Sequence, residues 1–300
     1  MGKGRPIIPR FTGSAGPSII GGKKVVGMGW HPDVPDRRDR TLGHKDVVAV
    51  LKGKGLIQKA KGKSKLPRKV DNRKFCSPIE DQGTLGSCTA HAVVGMMEYM
   101  MRRSSISHVD LSRRFLYKVT RKLLGWTGDT GAYIRTTIQS AAVFGVPPEK
   151  HFPYDVSLFE EEGTAFHYSY ASNFQALNYA RLDAKGQTGE DTLEIVKKVL
   201  AANFVVAFGF PVYSSISNDA DVPYPTDLDS LEGGHAVLAV GYDDDHASKG
   251  TLIFRNSWDV DWGDKGYGYL PYEYVIDELA LDFWTIFKQE WIDPKQFKAL

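Results

Sequence analysis

The feature that most constrains this 300-residue chain is Asp81-Gln82-Gly83-Thr84-Leu85-Gly86-Ser87-Cys88-Thr89-Ala90-His91, a glycine-rich turn that delivers a cysteine to the mouth of an apolar helix. Beyond Cys88, the positions Ala90, Val93, Val94, Met97, Met100 and Met101 cover most of a helix circumference. That pattern predicts a largely buried helix over 88–103, around which the rest of the chain must wrap. Arg102 and Arg103 fall at its C-terminal end, where cations suit the macrodipole. A thiol at a helix N-terminus faces unpaired amides and the positive end of the dipole, and both favour the thiolate. A free cysteine is more commonly a buried structural residue. Here the Gly-Ser turn leaves the helix end open, which weighs toward Cys88 as a nucleophile. The other cysteine, Cys76, is then a free structural thiol, and two cysteines make no disulfide framework.

Downstream of Leu66 the patterning is helical first and β second. Leu111 to Leu124 carries an amphipathic repeat, Tyr133 to Phe144 another that stops at Gly145 and Pro147-Pro148, and Thr192 to Leu200 a third. Val205 to Phe210, Ala236 to Tyr242, Thr251 to Phe254 and Phe283 to Phe287 are short β-branched or aromatic runs between turn signals. A helical half followed by a β half predicts an α+β protein of two lobes, roughly 75–165 and 166–290, with a cleft between them. Residues 291–300 are left as a tail. No run approaches a membrane span, and the basic N-terminus is followed by Phe-Thr-Gly-Ser rather than an apolar stretch. The expectation is therefore no signal peptide, and a cytoplasmic location or export by a non-classical route.

Residues 1–65 differ in kind, being rich in Gly, Pro and Lys. Residues 1–74 carry a net +14 and the remaining 226 residues −12, so a basic arm is joined to an acidic body. Within the arm, Met28 to Asp39 reads as an ordered fragment, Val47 to Leu51 as an apolar patch, and Lys52 to Lys65 as a solvated linker. The lysine run lacks interleaved aromatics, which does not favour nucleic acid. The expectation is that the arm docks on its own body by charge and covers the cleft as an inhibitory segment.

A cysteine nucleophile needs a base. His31 and His44 lie in the arm, and His108, His151, His167 and His246 in polar or turn-like surroundings. His91 shares the helix of Cys88 and is the second choice. His235, in Gly233-Gly234-His235-Ala236-Val237, stands at the lip of a strand that runs into the core, where glycines allow close backbone approach. Asn256-Ser257-Trp258 follows; an amide oxygen fixes an imidazole ring and tautomer without adding full charge, and nearby tryptophans shield that bond.

Together these stretches resemble the papain family of cysteine peptidases, from about Leu66 to near Ile286, and within it bacterial members without the usual disulfides. Leu66 to Arg73 is similar to the family's mature N-terminus. His235 and Asn256 follow Cys88 by 147 and 168 residues, in the family's order. The resemblance implies a two-lobed papain-like fold with a helical left lobe and a β-barrel-like right lobe. It implies a thiol endopeptidase acting on peptide or protein substrates without a cofactor or metal; the family's long helical prosegment is not visible in residues 1–65, so a zymogen would need an inhibitory segment of another design. Cys88, His235 and Asn256 would be its catalytic residues and Gln82, six residues before Cys88, its oxyanion donor. Gly86, Ser87, Gly131, Ala132, Gly234, Ala236, Trp258 and Trp262 would line the substrate cleft, with an apolar subsite built from part of 205–210, Ala236 and residues near Ala132. Two positions depart from the family: Leu85 stands where a half-cystine is usual, and Thr89 where an aromatic follows the nucleophile.

Other motifs carry less. Asp129-Thr130-Gly131 spells an aspartic-peptidase tripeptide, but that chemistry needs a second copy to share a proton. Asp243-Asp244-Asp245 reads as a solvated turn ahead of a cation site. Zinc-hydrolase and phosphate-loop motifs are absent from the sequence. Two other functions share the cysteine: an acyltransferase that passes the thioester to an amine, and a non-catalytic binding protein on the same scaffold.

Overall fold

The computed structural model describes residues 17–21, 24–53, 66–104 and 108–291. The chain opens with an antiparallel hairpin, β1 (Pro17–Ile20) and β2 (Lys24–Gly27), runs extended to residue 40 and forms α1 (Lys45–Gly53). A short strand β3 (Lys69–Asp71) leads to the helices α2 (Cys88–Arg103), α3 (Arg113–Leu124), α4 (Ile134–Val143) and α5 (Ala165–Ala171). Then come β4 (Phe174–Arg181), α6 (Gly189–Ala201), β5 (Val206–Tyr213), β6 (Leu231–Asp243), β7 (Thr251–Arg255), β8 (Tyr267–Pro271), α7 (Glu273–Ile276) and β9 (Leu281–Trp291).

Helix α2 starts at Cys88, as the sequence pattern predicts, and every residue from Cys88 to Met101 is buried. It packs against α3 and α4 on one side and against β5, β6 and β9 on the other, which makes it the shared core of both halves. Local chemistry sets the neighbouring helices. The Ser112 side chain caps α3 by accepting from Phe115 N–H, and Gly125 ends it in the left-handed region at φ 69°. Thr188 and Asp191 form a reciprocal capping box at the start of α6.

The strands form one antiparallel sheet ordered β4-β9-β5-β6-β7-β8, with β3 added to β6. β5 and the central part of β6 are buried on both faces, which is why they read as continuous apolar runs, whereas β8 alternates. Among the described residues β4 and β8 do not pair with each other, so the sheet is open where a barrel-like closure was expected. No described helix is long and apolar enough to cross a membrane.

The arm differs most from expectation. Val26, Met28, Trp30 and Val47 are buried, so the segment that holds the expected ordered fragment packs into the fold as well as lying over the site. The expected linker begins inside α1; residues 54–65, like 1–16 and 292–300, lie outside the described residues. Among the described residues the arm's ion pairs to the body run from its carboxylates: Asp33 and Asp39 meet Arg135, and Asp39 lies 3.8 Å from Arg181. The net positive charge of the arm is therefore not what these contacts use.

Candidate active site

The turn before Cys88 is held from the helical side. Gly86 N–H donates to both carboxylate oxygens of Asp129, at 3.0 and 3.1 Å. The Tyr117 hydroxyl donates to Asp129 Oδ1 at 2.6 Å and accepts from Gly131 N–H at 2.9 Å, so one phenol joins the cysteine turn to the Gly131 edge. Asp129, set aside as a catalytic tripeptide, thus has a positioning role that its sequence context gave no sign of. Ser87 is spent on the same bracing, its hydroxyl 2.7 Å from Tyr154 Oη and 3.3 Å from His91 Nδ1.

From the sheet side come the imidazole and the amide. His235, on β6, places Nε2 at 2.7 Å from Asn256 Oδ1, which also accepts from Ser257 N–H at 2.8 Å. An oxygen that accepts from both fixes Nε2 as the protonated nitrogen, and a neutral ring in that tautomer keeps Nδ1 as a proton acceptor. Nδ1 is buried with no hydrogen-bond partner among the described residues. Trp258 stacks on the imidazole with centroids 4.4 Å apart, and Trp262 stands edge-on to Trp258 at 5.3 Å.

The two sides meet at the sulfur. The backbone amides of Ala236, Gly29 and Thr89 lie close enough to Cys88 Sγ to favour its thiolate, so the residue next to His235 borders the cysteine. Burial nevertheless dominates, pushing the thiol up to about 11 despite those donors. It also pulls His235 down to about 4, against the supporting bond from Asn256. Both groups are fully enclosed and neutral in this arrangement.

Gln82 completes the set. Its backbone N–H donates to Ser257 O at 2.9 Å and its Oε1 accepts from Ser257 Oγ at 2.6 Å, which orients the amide. The Nε2 group then donates to Leu85 O at 2.8 Å and to Gly27 O, in the arm, at 2.9 Å. Ser257 was not among the expected site residues; its hydroxyl next to Asn256 was the available signal.

The arm fills what remains. Gly29 and Trp30 N–H groups both donate to Gly234 O, at 3.0 and 2.9 Å. Ala132 N–H donates to Gly29 O at 2.7 Å and His31 N–H to Ala132 O at 3.2 Å, a parallel bridge centred on Trp30 and Ala132. A Cβ on Gly29 would fall 1.8 Å from Gly86 O, so only glycine lets the strand lie this low. The expected cleft positions Gly86, Gly131, Ala132, Gly234 and Ala236 therefore converge on one strip.

The second-choice base does not. His91 Nδ1 sits 3.1 Å from Ser87 O, its ring packs edge-on to Tyr154, and burial lowers its pKa to about 3. Cys76 and Cys88 are both free, and burial raises Cys76 to about 11. Asp243, Asp244 and Asp245 are paired with Lys69, Lys197 and Arg68, and no cluster of metal-ligating side chains occurs among the described residues.

Comparison with known proteins gives a consistent picture. A family model described as papain family cysteine protease matches residues 66–275. A peptidase C1-like protein of Acanthamoeba polyphaga mimivirus is 38% identical over 71% of this chain and 70% of its own length. Cathepsin K of Gallus gallus is 30% identical over 68% of this chain, a match that spans 58% of that protein. Among solved structures, xylellain, a cysteine protease from Xylella fastidiosa, superposes with a TM-score of 0.70 at 33% identity, covering 90% of this chain and 97% of that one.

Proposed function

The chain belongs to the papain family of cysteine proteases, and from that premise we propose that Cys88, His235 and Asn256 form its catalytic triad and that residues 17–53 restrain it. Its enzyme class is a cysteine protease, a hydrolase. In the proposed reaction His235 Nδ1 takes the Cys88 proton and the thiolate adds to a peptide carbonyl. The oxyanion is held by Gln82 Nε2 and Cys88 N–H. The imidazolium returns its proton to the departing amine, and water then attacks the thioester, losing a proton to His235 and releasing the acid. Asn256 holds the ring in one tautomer throughout.

The observation that carries this reading is the His235–Asn256 bond, which leaves Nδ1 unoccupied in the same enclosure as a sulfur bordered by the Ala236 amide. The restraint is supported by what the arm presents. Gly27 O takes the Gln82 amide hydrogen that an oxyanion would need, and the Gly29 amide, whose N–H is held by Gly234 O, lies beside the sulfur. A segment seated this way covers the proposed nucleophile and occupies its oxyanion donor. Labelling of Cys88 by a peptidyl epoxysuccinate together with fluorophore release from a dipeptide amide supports an endopeptidase. Labelling without turnover, and transfer to an added amine instead, would support an acyltransferase.

A further inference from the structure

The arm's Trp30 fills a slot in the cleft whose far end holds a buried carboxyl oxygen. A Cβ added at Gly209 of β5 would lie 2.0 Å from the indole Cε2, and one at Gly234 would lie 3.0 Å from its Cε3. The ring thus occupies space that a side chain at 209 would take. At its outer edge the indole Nε1–H donates to Asp282 Oδ2 at 3.1 Å. Asp282 is fully buried; its backbone N–H is fixed by Asp183 at 3.0 Å and its Oδ1 lies 3.0 Å from Arg181 Nη2. Among the described residues, Oδ2 takes hydrogen bonds from Trp30 Nε1 and, at 2.8 Å, from Asp33 N–H, and both belong to the arm. Withdrawing the arm strips that oxygen of both donors while it stays at the end of a deep slot, a costly state for a buried carboxylate.

We infer that Asp282 is a specificity-determining residue, and that the slot selects substrates presenting tryptophan, a flat ring with an N–H at its far end, against Ala132, Gly209 and Gly234. This rests on the peptidase reading and goes beyond it, because the subsite expected there from the sequence was apolar throughout. A substrate indole restores the bond that the arm's indole makes. Phenylalanine fills the slot but leaves Oδ2 bare. A cationic side chain would meet Arg181, which already lies against the same carboxylate.

The test uses the full chain carrying Gly29→Ala, which unseats the arm, together with Trp30→Ala, so that its indole does not compete, and fluorogenic dipeptidyl amides with arginine at the cut and Trp, Phe or Leu before it. The expected result is a kcat/KM for Trp severalfold above that for Phe, since only the indole supplies a donor to an otherwise unsatisfied buried oxygen. Adding Gly209→Ala should bring that ratio to one or below, because the new methyl meets the indole. Phe or Leu cleaved as fast as Trp overturns the inference while leaving the peptidase reading intact, as does a ratio unmoved by Gly209→Ala. Failure to cleave any of the three, with Cys88 unlabelled by an epoxysuccinate, overturns the peptidase reading and this inference with it.

Discussion

The carbonyl oxygen of Gly27 accepts a 2.9 Å hydrogen bond from Gln82 Nε2, so a residue of the N-terminal arm occupies the donor that the proposed mechanism reserves for an oxyanion. The same amide is oriented by Ser257 Oγ at 2.6 Å, which fixes its oxygen and turns its NH2 group toward the cleft. The donor is therefore preorganised, and the arm borrows it.

Removing that donor should cost rate rather than folding. Gln82→Ala is expected to lower kcat on a peptide amide by about 10²–10³, the usual effect of deleting one oxyanion donor, with a much smaller change in KM. A drop confined to KM would mean that Gln82 only binds substrate.

Seating of the arm depends on Gly29 having no side chain. Gly29→Ala places a methyl 1.8 Å from Gly86 O, in a turn whose Gly86 N–H is held by Asp129 and which has little room to move. Peptidase activity of the full chain is expected to rise by about tenfold or more, since excluding the arm increases the fraction of competent enzyme. Activity equal to that of the unaltered chain would remove the arm from the regulatory account.

Chemical reactivity of Cys88 should report the same equilibrium. Burial raises the covered thiol to about 11, so its thiolate fraction is small at neutral pH and grows about tenfold per pH unit on the way to that value. Iodoacetamide alkylation of the full chain is thus expected to be slow at pH 7 and to climb steadily with pH. In the Gly29→Ala chain, water and the His235 partner lower the thiol, and alkylation should already be fast at pH 6. Superimposable pH profiles for the two chains would contradict a cover that desolvates the pair.

The brace beneath the nucleophile is a separate test. Tyr117→Phe removes the hydroxyl that joins Asp129 to Gly131 N–H and leaves the ring in place. The expected effect is a fall of about tenfold in kcat/KM, with Cys88 still labelled by an epoxysuccinate, as for a positioning residue that shifts the turn slightly. Loss of labelling would show that the turn had collapsed rather than shifted.

Much of this site was legible in the sequence because its chemistry is carried by rare residues at fixed separations. Cys88 after a Gly-Ser turn, His235 at a strand lip and Asn256 before Ser-Trp each needed a particular atom type, and the α2 boundary followed from a burial pattern that runs unbroken from Cys88 to Met101. What was not legible depends on backbone geometry. Gly27 and Gly29 act through backbone groups that every residue possesses, so reading Met28 to Asp39 as an ordered fragment gave no sign of which atoms it would meet. β4 was missed because its buried Phe174 and Ala176 alternate with polar residues, and its register with β9 shifts around residue 177. Net charge does not give the sign of each contact: the seated part of the arm meets Arg135 and Arg181 through Asp33 and Asp39, whereas Arg68, Lys69 and Arg73 pair with Asp245, Asp243 and Asp264 of the body.

The most direct measurement of the central claim is hydrolysis of a fluorogenic peptide amide by the full chain carrying Gly29→Ala, with and without Cys88→Ala. The account expects steady turnover in the first and none above background in the second, the two proteins having the same fold by circular dichroism. Undiminished hydrolysis after loss of the sulfur would contradict it.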